Sequence, residues 1–281
     1  MEREPGAGGT RSAVGRTMSS PWSVRLAWLG GCIGLLLAML LFAPARWLAS
    51  AVHSASAGQV QLVNARGSVW QGQADLLLTG GEGSRSLSAL PQGLRWRLAP
   101  AWASGQPAVA LQLSTPCCSP EPLDILLLPG WQGMELRLAA FSSQWPAVLL
   151  VGLGTPWNTL RPDGQLALRS SGLVVQQVQG RLGLQGGLTV DALDMASRLS
   201  TLRPLGSYRL ELQAAADGHS TTLNLSTLRG GLRLQGSGQW VGGRLRFQGE
   251  AQAAPGREPA LDNLLNILGR RQGPRSILNI G

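Results

Sequence analysis

The sequence predicts a mainly β fold: antiparallel, curved or sandwich-like sheets with one or two short helices, preceded by a single N-terminal transmembrane helix. Three observations carry this. From Val60 onward apolar and polar residues alternate with period two, the pattern of strands with one buried and one wet face. Glycine (38) and proline (17) are abundant among 281 residues while only 14% are charged, so turns cut the chain into short segments. Near the N-terminus a charge-free apolar run, Leu26 to Ala45, is bounded by Arg25 and Arg46.

That run comes first in chain order. About 20 apolar residues suffice to cross a hydrocarbon core as a helix. Trp22, Trp28 and Trp47 stand near its ends, where amphipathic rings favour the headgroup level. Arg3, Arg11, Arg16 and Arg25 precede it, which by the positive-inside rule keeps the N-terminus cytoplasmic. The expected organisation is a cytoplasmic segment over residues 1–24, a transmembrane helix over 25–46 and an exported β-rich domain over 47–281. Ala55-Ser56-Ala57 before Gly58 has the form of a signal-peptidase site. The apolar run, however, exceeds the usual signal-peptide core of about 7–15 residues and ends well before that site, so an uncleaved anchor is expected. Residues 1–17 show no periodicity and are assigned no structure; Met18 is a second candidate start.

The strand candidates then follow one another. They centre on Val60 and Leu62; Ala74, Leu76 and Leu78; Leu94, Trp96 and Leu98; Val109, Leu111 and Leu113; and Met134, Leu136 and Leu138. After the middle of the chain come Leu166 and Leu168, Leu182 and Leu184, Tyr208 to Leu212, Leu223 and Leu225, Leu232 and Leu234, and Leu245 and Phe247. Gly80-Gly81, Gly186-Gly187, Gly230-Gly231 and Gly242-Gly243 are candidate hairpin turns, so pairing is expected to be antiparallel and local. Arg, Gln and Ser at the alternate positions give each sheet one wet face.

Two helices are predicted. Leu193, Ala196 and Leu199 have helical spacing before Pro204, and Leu261, Leu264, Leu265 and Leu268 form a stripe between Pro259 and the capping glycine Gly269. The loop from Pro156 to Pro162 is a candidate hinge between two β halves.

Composition excludes several functions. The net charge of +9 is carried by arginine alone, since there is no lysine. These arginines are scattered, as in Leu94-Arg95-Trp96-Arg97-Leu98, without the clustered patch that a nucleic-acid surface needs. The two histidines, His53 and His219, lie in a linker and a turn with no orienting partner, so no catalytic triad is proposed. Gly152-Leu153-Gly154-Thr155-Pro156-Trp157 fails as a phosphate loop because Pro156 removes a backbone donor and no Gly-Lys-Ser/Thr follows. No metal, cofactor or catalytic residue is implied, and the chain is expected not to be an enzyme.

Two residue types stand out. Tryptophan (10) outnumbers phenylalanine (3) and tyrosine (1), and Trp70, Trp96, Trp131 and Trp157 are the candidate structural or interaction residues. Large rings beside glycine or proline usually fill sheet corners, and tryptophan is also enriched in interface hot spots. Cys117 and Cys118 are adjacent between Pro116 and Pro120, and a vicinal disulfide, an intermolecular bridge and two free thiols remain open.

Several motifs in order carry a resemblance. They are Ala65-Arg66-Gly67-Ser68-Val69-Trp70-Gln71-Gly72, then Leu90-Pro91 with Leu94-Arg95-Trp96, then Gly154-Thr155-Pro156-Trp157-Asn158-Thr159-Leu160. Ser197-Arg198-Leu199-Ser200-Thr201-Leu202-Arg203-Pro204-Leu205-Gly206-Ser207-Tyr208 and Leu268-Gly269-Arg270-Arg271 complete the series. Together they resemble protein N of the type II secretion system, from Ser23 to the C-terminus. The resemblance implies a non-catalytic accessory subunit in the inner membrane, with a periplasmic β domain and other secretion subunits as partners. It adds no catalytic residue and no cofactor. An alternative implied at fold level is a lipid-handling envelope protein of the AsmA-like kind, with a Leu-lined groove as its lipid site.

Overall fold

The computed structural model describes residues 21–81, 84, 86–130, 133–178, 181–214, 220–241 and 244–281. Most of the expected cytoplasmic segment, Trp131, His219 and the Gly242-Gly243 turn therefore lie outside the described residues. The chain divides into two units, Met1–Ala43 and Pro44–Gly281.

In the first unit, helix α1 spans Pro21–Leu41 and leaves Trp28, Leu36, Leu40 and Phe42 exposed. The apolar run was expected to stay helical to residue 46. Instead Pro44, which has no N–H to donate, is extended (φ −73°, ψ 149°), and a separate helix α2, Ala45–Ala55, starts after it. Among the described residues no helix is long and apolar enough to cross a membrane.

The second unit is one antiparallel sheet of sixteen strands. They are β1 (Val60–Gly67), β2 (Gln71–Thr79), β3 (Leu87–Ala89), β4 (Leu94–Ala103), β5 (Gln106–Ser114), β6 (Leu123–Gly130), β7 (Gly133–Leu138) and β8 (Phe141–Pro146). Then come β9 (Asp163–Val178), β10 (Arg181–Ala196), β11 (Gly206–Ala214), β12 (Ser220–Gly230), β13 (Leu232–Val241), β14 (Arg244–Ala253), β15 (Arg270–Gln272) and β16 (Arg275–Ile280). The order is β1-β2-β4-β5-β6-β7-β9-β10-β11-β12-β13-β14-β16-β15, with β3 beside β2 and β8 beside β9. The alternation was equally compatible with two sheets closing as a sandwich. A single open sheet forms because β9 and β10, each 16 residues long, pair with the strands on both sides and join the two halves. The half of β9 that β7 leaves unpaired is taken by β8, through Phe141↔Ser170 to Pro146↔Gln165.

Register places one set of side chains on a common apolar face. Trp96 stands opposite Leu113, Leu111 opposite Ile125, and Leu138 opposite Leu173, and Leu188, Leu212 and Leu223 continue the row beyond β9. Arg95, Arg97, Glu135, Arg169, Arg209 and Arg246 occupy the other face. The longer connections all lie at one end of the sheet, and there they cover the apolar face. Helix α2 packs Ala45 and Leu48 against Ala74 and Trp96. A 3-10 helix, Ala147–Leu153, packs Leu149 on Leu90 and Leu78. Helix α4, Glu258–Leu268, presses Leu261, Leu264 and Leu265, each no more than 2% exposed, onto Tyr208, Leu232 and Ala251.

Two sequence expectations are corrected. The helix over Leu193 to Leu202 is absent: β10 runs on to Ala196, and a bulge at Asp194 (φ 48°) shifts its register between Ala192 and Met195. The bulge resets the alternation, so Met195, Leu199 and Leu202 reach the α4 core from a strand end and a loop, which imitates helical spacing. Gly186-Gly187 is not a turn either. It lies inside β10, where Gly186 (φ 92°) sits against the Gly172 carbonyl at a second shift in register, and a Cβ would collide with that carbonyl.

Because Leu265 is fully buried between α4 and the sheet, Leu265→Ala is expected to destabilise the second unit by about 2–4 kcal/mol. Urea unfolding of the purified chain measures it; a loss below about 1 kcal/mol would mean that α4 does not anchor this end.

Candidate functional site

The apolar face narrows into a cavity of about 180 Å³ where the 3-10 helix crosses it. Leu76 and Leu78 of β2, Trp145 of β8, Leu149 of the 3-10 helix, and Leu166 and Leu168 of β9 line it. Strands far apart in the order thus meet on one concave side. The only polar atom of these side chains, Trp145 Nε1, donates to Ser143 Oγ at 2.9 Å, so the cavity offers a ligand dispersion contacts alone.

The β5–β6 loop packs against several of the same side chains. Cys117 and Cys118 are bonded to each other, and Cys118, 4% exposed, packs with Leu90 and Leu149, while Leu76, Leu78 and Trp145 border the same cluster. The Gln144 N–H donates to the Cys118 carbonyl at 2.6 Å, so the loop also covers the outer edge of β8.

The two ends of the sheet differ. Strand β15 has three residues, two of them Arg270 and Arg271, and such short charged edges resist further pairing. Strand β1 has eight residues and a neighbour on one side only, β2. Its one irregularity is a bulge at Asn64 (φ 54°), fastened by Asn64 Nδ2 donating to Asp75 Oδ2 at 2.8 Å. The stretch Val60–Val63 before the bulge pairs regularly.

The predicted tryptophans are not brought together. Trp96 is 3% exposed, donates from Nε1 to the Val69 carbonyl at 3.0 Å, and lies flat on Gly72, where a Cβ would collide with its ring. Trp70 is half-buried in the β1–β2 connection, and Trp157 is half-buried at the start of the short helix α3, Trp157–Leu160. The sequence reading passed over Trp102 and Trp240, which are 72% and 39% exposed on the apolar face near the β4–β5 and β13–β14 turns. Only the register at a strand end distinguishes them from buried neighbours of the same parity.

Charge is concentrated on the wet face. Asp191, 4% exposed, accepts from Arg209 Nε at 2.7 Å and Nη2 at 2.9 Å, with Arg169 Nη1 at 3.5 Å. The Arg209 hydrogen bonds outweigh the cost of burial and hold the Asp191 carboxyl below its ordinary 3.8. Burial alone raises the Tyr208 hydroxyl, which donates to the Leu232 carbonyl at 3.1 Å. His53 is exposed, and among the described residues no three His, Cys, Asp or Glu side chains gather as a metal site would require.

A family model described as type II secretion system (T2SS), protein N, matches residues 58–278, nearly the whole of the sheet. No curated protein and no solved structure matches the chain.

The Asp191 pair sets a pH dependence. A carboxyl held lower in the folded state than in the unfolded one contributes stability that is complete above its unfolded value and disappears as pH falls through the folded value. Thermal unfolding midpoints should therefore fall as pH drops below about 4, and Asp191→Asn should lower the midpoint at neutral pH and flatten that acid limb. An unchanged acid limb in the variant would remove Asp191 as the cause.

Proposed function

The chain belongs to the type II secretion system protein N family, and from that membership we propose that it is a non-catalytic accessory subunit of the machine that exports folded proteins across the outer membrane. The observation that carries the reading is the family match over residues 58–278, which takes in all of the sheet but the last two residues of β16. The charge-free apolar run from Leu26 to Phe42, most of it in α1, anchors the chain in the inner membrane with the N-terminus cytoplasmic, and the sheet lies in the periplasm.

Contact with other secretion subunits runs through β1. An edge strand offers backbone donors and acceptors to an extended segment of a partner, and Val60 and Leu62 on the apolar face favour a partner strand that alternates in the same way. A proline at the edge removes one outward amide. Outward amides alternate, so of Gln61→Pro and Leu62→Pro one strikes the open edge and the other the β1–β2 ladder.

Two measurements test this. A C-terminal alkaline phosphatase fusion should be active and a cytosolic reporter silent; the reverse result sinks the topology. In a deletion strain, export of a type II substrate should fall and be restored by the full chain. Of the two proline variants, the edge variant should keep the fold and lose co-purification of secretion subunits. Normal export in the deletion strain, with no subunit recovered on the intact chain, would overturn the role.

The all-apolar cavity favours a second reading, an envelope protein that holds acyl chains against the sheet. Native mass spectrometry of the detergent-purified chain separates the two: co-purifying lipid supports this reading, and its absence removes it.

A further inference from the structure

Few polar bonds hold the β5–β6 loop in place. Between Ser114 and Leu123 its internal backbone bonds are Cys118 N–H and Ser119 N–H to the Thr115 carbonyl, each 2.9 Å, and its tie to the sheet is the Gln144 N–H to Cys118 carbonyl bond. The Thr115 hydroxyl, on a residue 2% exposed, has no partner among the described residues, so polar bonding does not fully satisfy the closed loop. What completes the cluster beside the cavity is Cys118, in contact with Leu90 and Leu149 and bonded to Cys117, which is half-buried against the same cluster.

We propose that Cys117 and Cys118 form a reversible redox site that exchanges electrons with a dithiol donor through Cys117, and whose reduction frees the loop and the β8 edge and loosens the apolar cluster that borders the cavity. This goes beyond the secretion role and stands independently of it. Access decides which sulfur is attacked. A donor thiolate attacks Cys117 Sγ, on the less buried of the two residues, since Cys118 is 4% exposed and Cys117 is only partly covered by the cluster. A donor–Cys117 disulfide forms, the Cys117–Cys118 bond breaks, and its electron pair goes to Cys118 Sγ. The donor's second thiolate then attacks the donor sulfur of that mixed disulfide and expels Cys117 as thiolate. The donor leaves as a disulfide, two electrons have passed to the protein, and the two donor protons end on the two cysteines.

Release follows from the position of Cys118. A thiolate is strongly disfavoured among Leu90, Leu149 and Trp145, so the departing sulfur must reach water to take its proton. Leaving the cluster breaks the Gln144 bond and uncovers β8. Once reduced, the two cysteines regain independent backbone and side-chain freedom, which opposes return to the closed loop.

The test uses the full chain in detergent with Cys32→Ser, so that only this pair reports, and dithiothreitol as donor. After reduction, confirmed by alkylation of both cysteines, hydrogen exchange over residues 141–153 should quicken on the order of tenfold, and N-phenyl-1-naphthylamine should bind more strongly. Cys117→Ser with Cys118→Ser should behave this way without reductant. Should that variant fail to fold, re-oxidation of the reduced chain must restore slow exchange. Identical exchange before and after reduction, no recovery on re-oxidation, or alkylation of both cysteines in protein purified without reductant would each overturn the proposal.

Discussion

An antiparallel sheet that does not close on itself must have its apolar face covered by something else, and the rest of this structure follows from that constraint. Period-two alternation carried through nearly every strand gives a single apolar face extending from Val60 and Leu62 on β1 to Ser276 and Leu278 on β16. In a sandwich a second sheet would cover it. Here the covering elements are α2, the 3-10 helix, the 197–205 loop and α4, all supplied by connections at one end. The buried clusters lie under those elements. Toward the tight hairpins the same aliphatic rows are only half-buried, and they end at exposed Trp102, Met134 and Trp240.

The abundance of glycine inside strands belongs to the same problem. A ring that must lie flat on a neighbouring strand needs that strand to lack a Cβ. Trp96 lies on Gly72, and Phe247 lies between Gly236 and Gly249. Tyr208 meets Gly206 in the same way and uses its hydroxyl to hold the Leu232 carbonyl at the start of β13. With only a few small helices as cover, aromatic rings laid on glycines thicken the apolar layer where no other element reaches it. The wet face is organised by arginine: Arg209 to Asp191 and Arg275 to Glu250 tie neighbouring strands, and Arg229 of β12 reaches past β11 to Asp194 of β10.

Eleven of the sixteen strands, the wet and dry faces and α4 were legible in the sequence because each depends on local periodicity. Strand β6 was missed because Leu123–Gly130 is a near-continuous apolar run, and β3, β8, β15 and β16 because three to six residues are too few to show alternation. The stripe Leu261, Leu264, Leu265 and Leu268 needed nothing beyond its own spacing and Gly269. What misled were the places where periodicity is broken by a bulge. Asp194 turned a strand end into an apparent helix, and Gly186 turned a bulge into an apparent hairpin, because a register shift and a turn leave the same glycine or change of period in the sequence. Whether the strands make one sheet or two could not be read at all, since alternation says which face is apolar and nothing about what lies opposite. The cavity was hidden for a similar reason. Its walls come from β2, β8 and β9, and only the curvature of the sheet brings them together.

The distribution of unmet needs in the sheet indicates where its interactions with other molecules lie. Strand β15 ends the sheet with three residues and two arginines, which leaves little backbone for a partner to pair with. The outer edge of β8 is occupied by the Cys117–Cys118 loop, and the α4 end of the apolar face is sealed by side chains with at most 2% exposure. Three features remain without such cover: the β1 edge beyond Val60, whose own N–H and carbonyl are taken by Ser56 Oγ, the all-apolar cavity under the 3-10 helix, and the aliphatic rows that run out at Trp102 and Trp240. Apart from Arg66 near the end of β1, none of them offers a charged group to a ligand, whereas the ion pairs of β10 and β11 lie on the opposite face. Binding by this sheet therefore depends on backbone pairing and apolar contact, chemistry suited to another chain or a hydrocarbon rather than to a polar substrate.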